Sequence, residues 1–259
     1  MTALIALLAT ATGAVALGAW RPWIPAAEAG PVEASSDASS EAQVIVPGPL
    51  VLPEDPRVLV FGDSWTYGSA ATPVTDGYAY VLADLIGGET IVDGVRGSGY
   101  LKPGIDGPDF GTRIADLDAS LDPDLVIVQG SINDRAQGED GYREAVTAAW
   151  DALSSLYAEA TIVVLGPAPH ELPVESGTAR IDRDLAALAE ARSWWYISPV
   201  QEEWITEQNY LDVIDVDPGN RHPSTAGHRY LAERVAAALA DLAAAAMTEA
   251  GVSDTGAQQ

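Results

Sequence analysis

Arg57-Val58-Leu59-Val60-Phe61, followed at once by Gly62-Asp63-Ser64, is the stretch on which the fold turns. Its apolar run has no polar interruption, so it reads as a strand buried on both faces, and Gly62 stops it. Asp124–Gln129 (DLVIVQ) and Thr161–Leu165 (TIVVL) repeat the pattern, and the first of these also ends at a glycine. Thr90–Asp93 (TIVD) and Trp194–Ile197 (WWYI) are shorter strand candidates. The spacing predicts helices over Tyr78–Ile86, Thr112–Leu121, Glu139–Ala158, Thr178–Arg192 and Pro223–Ala246. Gly87-Gly88 caps the first of these. In the last, Leu231, Val235, Leu239, Leu242 and Ala246 share one face. Buried strands alternating with amphipathic helices predict a parallel sheet covered on both sides.

The expected fold is therefore α/β: a single three-layer α/β/α domain around a flavodoxin-like parallel sheet of about five strands. The chain has 259 residues, room for one large domain or two small ones. Residues 3–19 are an uncharged, mostly apolar run followed by Ala27-Glu28-Ala29, so 1–29 is expected to be a signal peptide or an N-terminal anchor. Residues 30–56, rich in Ser, Pro, Glu and Ala, read as a flexible linker. That leaves a folded domain over 57–247 and a polar, disordered tail over 248–259. The expected location is secreted or cell-envelope.

Composition narrows the chemistry. Thirteen Lys and Arg stand against 38 Asp and Glu, a net charge of −25. A nucleic-acid partner needs a basic footprint that is missing, and an anionic membrane surface would repel the chain. Membrane contact is expected only through the N-terminal segment. The absence of cysteine excludes a thiol nucleophile, a zinc–thiolate site and disulfides. An imidazole must come from His170, His222 or His228.

In doubly wound sheets ligands bind beyond the carboxyl ends of the strands. Four segments fall at strand ends or helix entries: Gly62-Asp63-Ser64, Gly94-Val95-Arg96-Gly97-Ser98-Gly99, Gly130-Ser131-Ile132-Asn133-Asp134 and His222-Pro223-Ser224. Together they hold a hydroxyl, glycine amides, a carboxamide and an imidazole, the parts for acyl transfer. Each has a plainer reading alone: a turn, a tight loop, a helix N-cap and a surface residue before a proline-started helix. It is their joint occurrence that favours chemistry.

From about Arg57 to Val235 the chain resembles the SGNH hydrolases, also called GDSL-type esterases and lipases. Phe61-Gly62-Asp63-Ser64 matches the first block, with Trp65 where Leu is typical, and Gly130-Ser131-Ile132-Asn133-Asp134 matches the third. Gly94–Tyr100 matches the second, with Asp93 near the usual Asn. His222-Pro223-Ser224 fits the fifth, but Gly219 holds the usual Asp position. The resemblance implies Ser64 as nucleophile and His222 as general base. It also implies an oxyanion hole from the amides of Ser64 and Gly97 and the Asn133 carboxamide. Asp217, the nearest acid upstream of His222, is expected to orient the ring, with Asp215 or a main-chain carbonyl as alternatives. The implied activity is that of a serine esterase acting on carboxylic esters.

Two rival functions stay open: a carbohydrate O-acetyl esterase or acyltransferase on cell-wall or extracellular polysaccharide, and an inactive carbohydrate-binding module. The expected partner is a small-molecule or glycan ester. No metal or organic cofactor is implied. Asp215-x-Asp217-x-Gly219 looks like the start of a calcium loop, but Ala226 stands where the bidentate acid belongs. His228 lies on the apolar stripe and reads as structural. His170, in a loop, reads as a surface residue, with lining of the site as the alternative.

Overall fold

The computed structural model describes residues 47–217 and 221–253, with side chains as far as residue 244. In chain order the elements are β1 (Arg57–Gly62), α1 (Ser64–Tyr67), α2 (Tyr78–Ile86), β2 (Glu89–Gly94), α3 (Phe110–Ala115), β3 (Leu125–Gln129) and α4 (Tyr142–Leu156). There follow β4 (Thr161–Leu165), α5 (Ser176–Glu190), β5 (Trp195–Ile197), α6 (Tyr210–Val213), β6 (Ile214–Asp215), β7 (His222–Pro223) and α7 (Thr225–Ser253). Five strands form one parallel sheet in the order β2-β1-β3-β4-β5, the flavodoxin-like arrangement expected.

The alternation of side chains along the strands splits the core in two. Val58 and Val60 of β1, Leu125 and Ile127 of β3, and Val163 and Leu165 of β4 face a cluster completed by α2 and α7. Leu59, Phe61, Val126, Val128, Ile162 and Val164 face the other way, into a cluster with α3, α4 and α5. Each fully buried side chain of this size contributes on the order of 1.5–3 kcal/mol. The last helix applies the expected stripe: Leu231, Val235 and Leu239 are buried in the first cluster and Leu242 packs against it.

Three expectations change. The helix predicted over Thr112–Leu121 is two elements. The Asp109 side chain caps α3 at Thr112 N, the helix stops at Asp116, and the Asp118 side chain caps a separate 3₁₀ turn, Ala119–Leu121, at Ser120 N. Short acidic side chains bonding the backbone locally outcompete helix continuation. The linker does not extend to residue 56: Leu50 is 3% exposed, its amide meets Leu242 O, and Leu52 packs on the same cluster. Apolar side chains within that Pro-rich stretch dock it. The C-terminal helix continues past Met247 to Ser253, into the stretch read as tail.

The expected signal or anchor segment, most of the linker and the end of the tail lie outside the described residues. Among those described, no helix is long and apolar enough to cross a membrane.

Candidate active site

Ser64 is the first residue of α1, directly past the carboxyl end of β1. The Asp63 carboxylate caps that helix by accepting from Trp65 N at 2.9 Å. The cap turns the chain sharply and leaves the Ser64 side chain at the sheet edge. His222 sits in β7, which pairs antiparallel with β6. Its Nε2 lies 2.9 Å from Ser64 Oγ, across 158 residues of sequence.

The loop after β2 carries Gly97 into the cleft beside Ser64 and Asn133. Gly97 has a φ of +75°, in the left-handed region where glycine alone is unstrained, and an added Cβ would lie 3.3 Å from Ile105. Asn133 is the second residue of a short 3₁₀ turn, Ile132–Ala136, with its own amide donating to Ser131 Oγ. Its Nδ2 donates to Ser98 O at 3.0 Å and reaches Asp63 Oδ2 at 3.4 Å. The second contact is long, so that hydrogen is cheaply redirected to an oxyanion.

Two residues to which the sequence assigns no part in the site brace these elements. Asp134, a plausible cap in sequence, is fully buried and accepts from Tyr100 N at 2.7 Å and Leu101 N at 3.1 Å. A Cβ on Gly99 would strike its carboxylate at 2.5 Å, which explains that glycine. Burial raises the Asp134 pKa, against the pull of those amides. Arg113 donates to Gly62 O at 2.8 Å, to Asp93 O at 2.7 Å and to Asp93 Oδ1 at 2.6 Å. One guanidinium thus fastens the ends of β1 and β2 together. Asp93, a departure from the family pattern, is its ion-pair partner. Asp134 has no sequence signal for this work beyond being a charge near a strand end, and Arg113, inside α3, has none.

Asp63 lies under this assembly with no exposure. Burial pushes its carboxyl up to about 7, opposed by the amides of Trp65 and Ile132 and by Arg113.

The expected third member of the catalytic set, Asp217, is exposed, and its amide donates to Asp215 Oδ1 at 3.1 Å. Asp215, directly across from His222 in the β6–β7 pair, lines the cleft. Residues 218–220, which join the two strands, lie outside the described residues. The antiparallel register of β6 and β7 brings Asp215, not Asp217, opposite His222.

His228 is wholly buried on α7, as its place on the apolar stripe implies. Its Nδ1 accepts from Tyr78 N at 3.2 Å and its Nε2 lies 2.9 Å from Ser69 O. Only the neutral ring protonated on Nε2 satisfies both. It ties the Ser69–Val74 wall of the cleft to α7. Burial lowers its pKa from 6.5 to about 4, against the pull of the Ser69 carbonyl. The unfolded chain takes up this proton near 6.5 and the folded chain only near 4. The group therefore costs stability as pH falls through that window, in total about 3 kcal/mol. His228→Gln, which keeps a donor and an acceptor, should lose less unfolding free energy than wild type between about pH 7 and pH 4.5. Equal losses in chemical denaturation would show that His228 does not titrate this way.

His170 is not the surface residue expected. It is 9% exposed and lines a second pocket with Ser64, Asn133 and His222. Burial and then Arg135 lower its pKa, so the ring is held neutral. His170, Glu171 and Glu175 bring ligand-type atoms within 4.8 Å of one another. They suit a metal poorly: Arg135 already pairs with Glu175 at 2.9 Å and Arg221 with Glu171 at 2.7 Å. A cation would have to displace two guanidiniums.

Ser64 and His222 thus stand between two spaces. A cleft of about 700 Å³ is lined by Tyr67, Thr72, Arg96, Gly97, Ile105 and Asp215, among others. A pocket of about 170 Å³ is lined by Trp65, Ile132, Arg135, His170 and Arg221. Asn133 borders both.

Comparison with known proteins bears on this site. The model of the GDSL-like lipase/acylhydrolase family matches residues 60–230. A curated GDSL lipase of Mycobacterium tuberculosis, Rv0518, is 30% identical over 145 residues, which are 54% of this chain and 59% of that protein. The chain therefore spans little more than half the length of that relative. Among solved structures, a two-domain esterase active on acetylated mannans superposes with a TM-score of 0.59 at 16% identity, over 74% of this chain and 50% of the other. An aryl esterase of M. smegmatis superposes with a TM-score of 0.54 at 21% identity, over 72% of this chain and 99% of that one. At such identities these two likenesses concern the fold.

Proposed function

The chain belongs to the GDSL-like lipase/acylhydrolase family, and from that premise we propose that it is an exported serine esterase working through an acyl-Ser64 intermediate. The observation that carries this reading is the 2.9 Å contact between Ser64 Oγ and His222 Nε2, at the sheet edge where Gly97 and Asn133 also converge. The hydrophobic run at residues 3–19 supports export.

In this mechanism His222 accepts the Ser64 proton as Oγ attacks the ester carbonyl. Charge develops on the carbonyl oxygen, toward the amides of Ser64 and Gly97 and the Asn133 carboxamide. These donors are fixed beforehand by Asp63, Asp134 and Arg113, so little reorganisation accompanies the charge. The protonated imidazole then gives its proton to the leaving alcohol. Water repeats the sequence and frees the acid.

A tetrahedral carbon bound to Oγ and to the oxyanion has two substituents left, and each needs its own space. The two cavities that meet at Ser64 and His222 suit them: the small pocket takes the acyl group and the large cleft the alcohol. Short acyl groups on bulky alcohols fit this division best. It favours the carbohydrate O-acetyl esterase reading over action on long-chain lipids, and the mannan esterase with the same fold supports it.

The test is hydrolysis of p-nitrophenyl acetate by wild type and by Asn133→Ala. Wild type should turn over, and the variant should lose roughly 10²–10³ in kcat with a smaller change in KM, as expected of a donor that acts mainly in the transition state. No hydrolysis by wild type would favour the inactive binding module; a change confined to KM would remove Asn133 from the oxyanion hole.

A further inference from the structure

We propose that the small pocket selects acyl groups carrying a neutral oxygen substituent, such as a hydroxyacyl group, over their alkyl isosteres, and that His170 with Arg135 and Arg221 makes the selection. This rests on the acyl-serine reading above and names what that reading leaves open, the character of the acyl group.

Size sets the first limit. A cavity of roughly 150 Å³ holds one benzene ring. At about 170 Å³ the pocket admits a group of only a few heavy atoms.

Hydrogen-bonding capacity sets the second. A guanidinium has five N–H groups. Arg135 commits Nε to Glu175 Oε2 at 2.9 Å and Nη1 to Ile132 O at 3.2 Å. Arg221 commits Nη1 to Glu171 Oε2 at 2.7 Å. The other guanidinium hydrogens have no protein partner among the described residues. His170 Nδ1 is enclosed without a hydrogen bond, 3.5 Å from Glu175 Oε2. That leaves Nε2 as the polar atom of the ring available to the pocket. An alkyl group entering here strips water from these donors and returns nothing, whereas an oxygen substituent replaces the lost bonds. Sites built to bond a substrate hydroxyl discriminate strongly against the analogue without it, far more than apolar pockets discriminate between sizes.

Charge sets the third. Glu171 and Glu175 neutralise the two arginines, and burial keeps His170 neutral. The pocket has no net charge to attract a carboxylate, and the chain as a whole carries −25. A neutral oxygen substituent fits where an anionic one does not.

The experiment compares p-nitrophenyl glycolate with p-nitrophenyl propionate, which differ by hydroxyl against methyl at one position. Each kcat/KM is divided by the rate constant for hydroxide-catalysed hydrolysis of the same ester, which removes intrinsic reactivity. Wild type should favour glycolate roughly tenfold or more after this correction. His170→Leu, which removes no side-chain hydrogen bond, should bring the ratio close to one. Arg221→Met, on the more exposed side of the pocket, should lower it independently, so the inference does not hang on one variant folding. A wild-type ratio at or below one overturns the inference and leaves the esterase standing, as does a ratio unchanged in both variants. Hydrolysis of neither ester by wild type overturns both.

Discussion

Ser64→Ala should abolish ester hydrolysis, with kcat falling by roughly 10⁴–10⁶ and the fold intact. The size follows from the role. Without Oγ there is no acyl-enzyme, and what remains is the modest assistance of oxyanion donors to direct attack by water. The fold should survive because the Ser64 hydroxyl bonds His222 Nε2 at the sheet edge, and α1 is capped by Asp63 rather than by Ser64. Thermal unfolding should match wild type within about 1 kcal/mol, as for a substitution that opens no sizeable cavity. Mass spectrometry of acid-quenched wild type turning over p-nitrophenyl acetate should find the acetyl group on the peptide that contains Ser64. Clean variant protein retaining more than a few per cent of the activity, or an acyl group on another residue, would remove Ser64 from the nucleophile's place.

His222→Ala should cost nearly as much, because an unactivated serine hydroxyl is a poor nucleophile at neutral pH. The diagnostic result is the double variant. In the proposed mechanism Ser64 and His222 act as a unit, so removing both should cost no more than removing Ser64 alone. Multiplying losses would mean that the two residues serve separate steps despite their 2.9 Å contact. His228→Ala and His170→Ala supply the comparison. The hydrogen bond of Ser64 Oγ is to His222, so neither variant should lose the proton-accepting step. If one of them were as inactive as His222→Ala, the general base would be misassigned.

Much of the site is legible in the amino-acid sequence. A buried strand running into Gly62-Asp63-Ser64, and another into Gly130-Ser131-Ile132-Asn133, place those residues at a strand's carboxyl end once the sheet is parallel. His222-Pro223, ahead of a long amphipathic helix, singles out one histidine of the three. The residues that hold these groups in position are not legible. Asp134 reads as a cap and Arg113 carries no reading of its own; Asp134 shows its role only when the loop after β2 folds over it, and Arg113 only when β1 and β2 lie side by side. His170 has the sequence context of a surface loop, yet the path from β4 to α5 buries it in a pocket shared with Ser64. Distance along the chain from His222 favours Asp217, whereas the register of β6 and β7 pairs Asp215 with His222.

The sequence by itself determined the alternation of strands and helices, the two-sided core and the residue types at the strand ends. Those depend on periodicity and on local capping, which act over a few residues. The tertiary structure decided which loops meet: Ser64 with His222 across 158 residues, Asp134 with the amides at 100 and 101, and His170 with the smaller pocket. Such meetings follow from strand order and loop path, and no periodicity within a single segment encodes them.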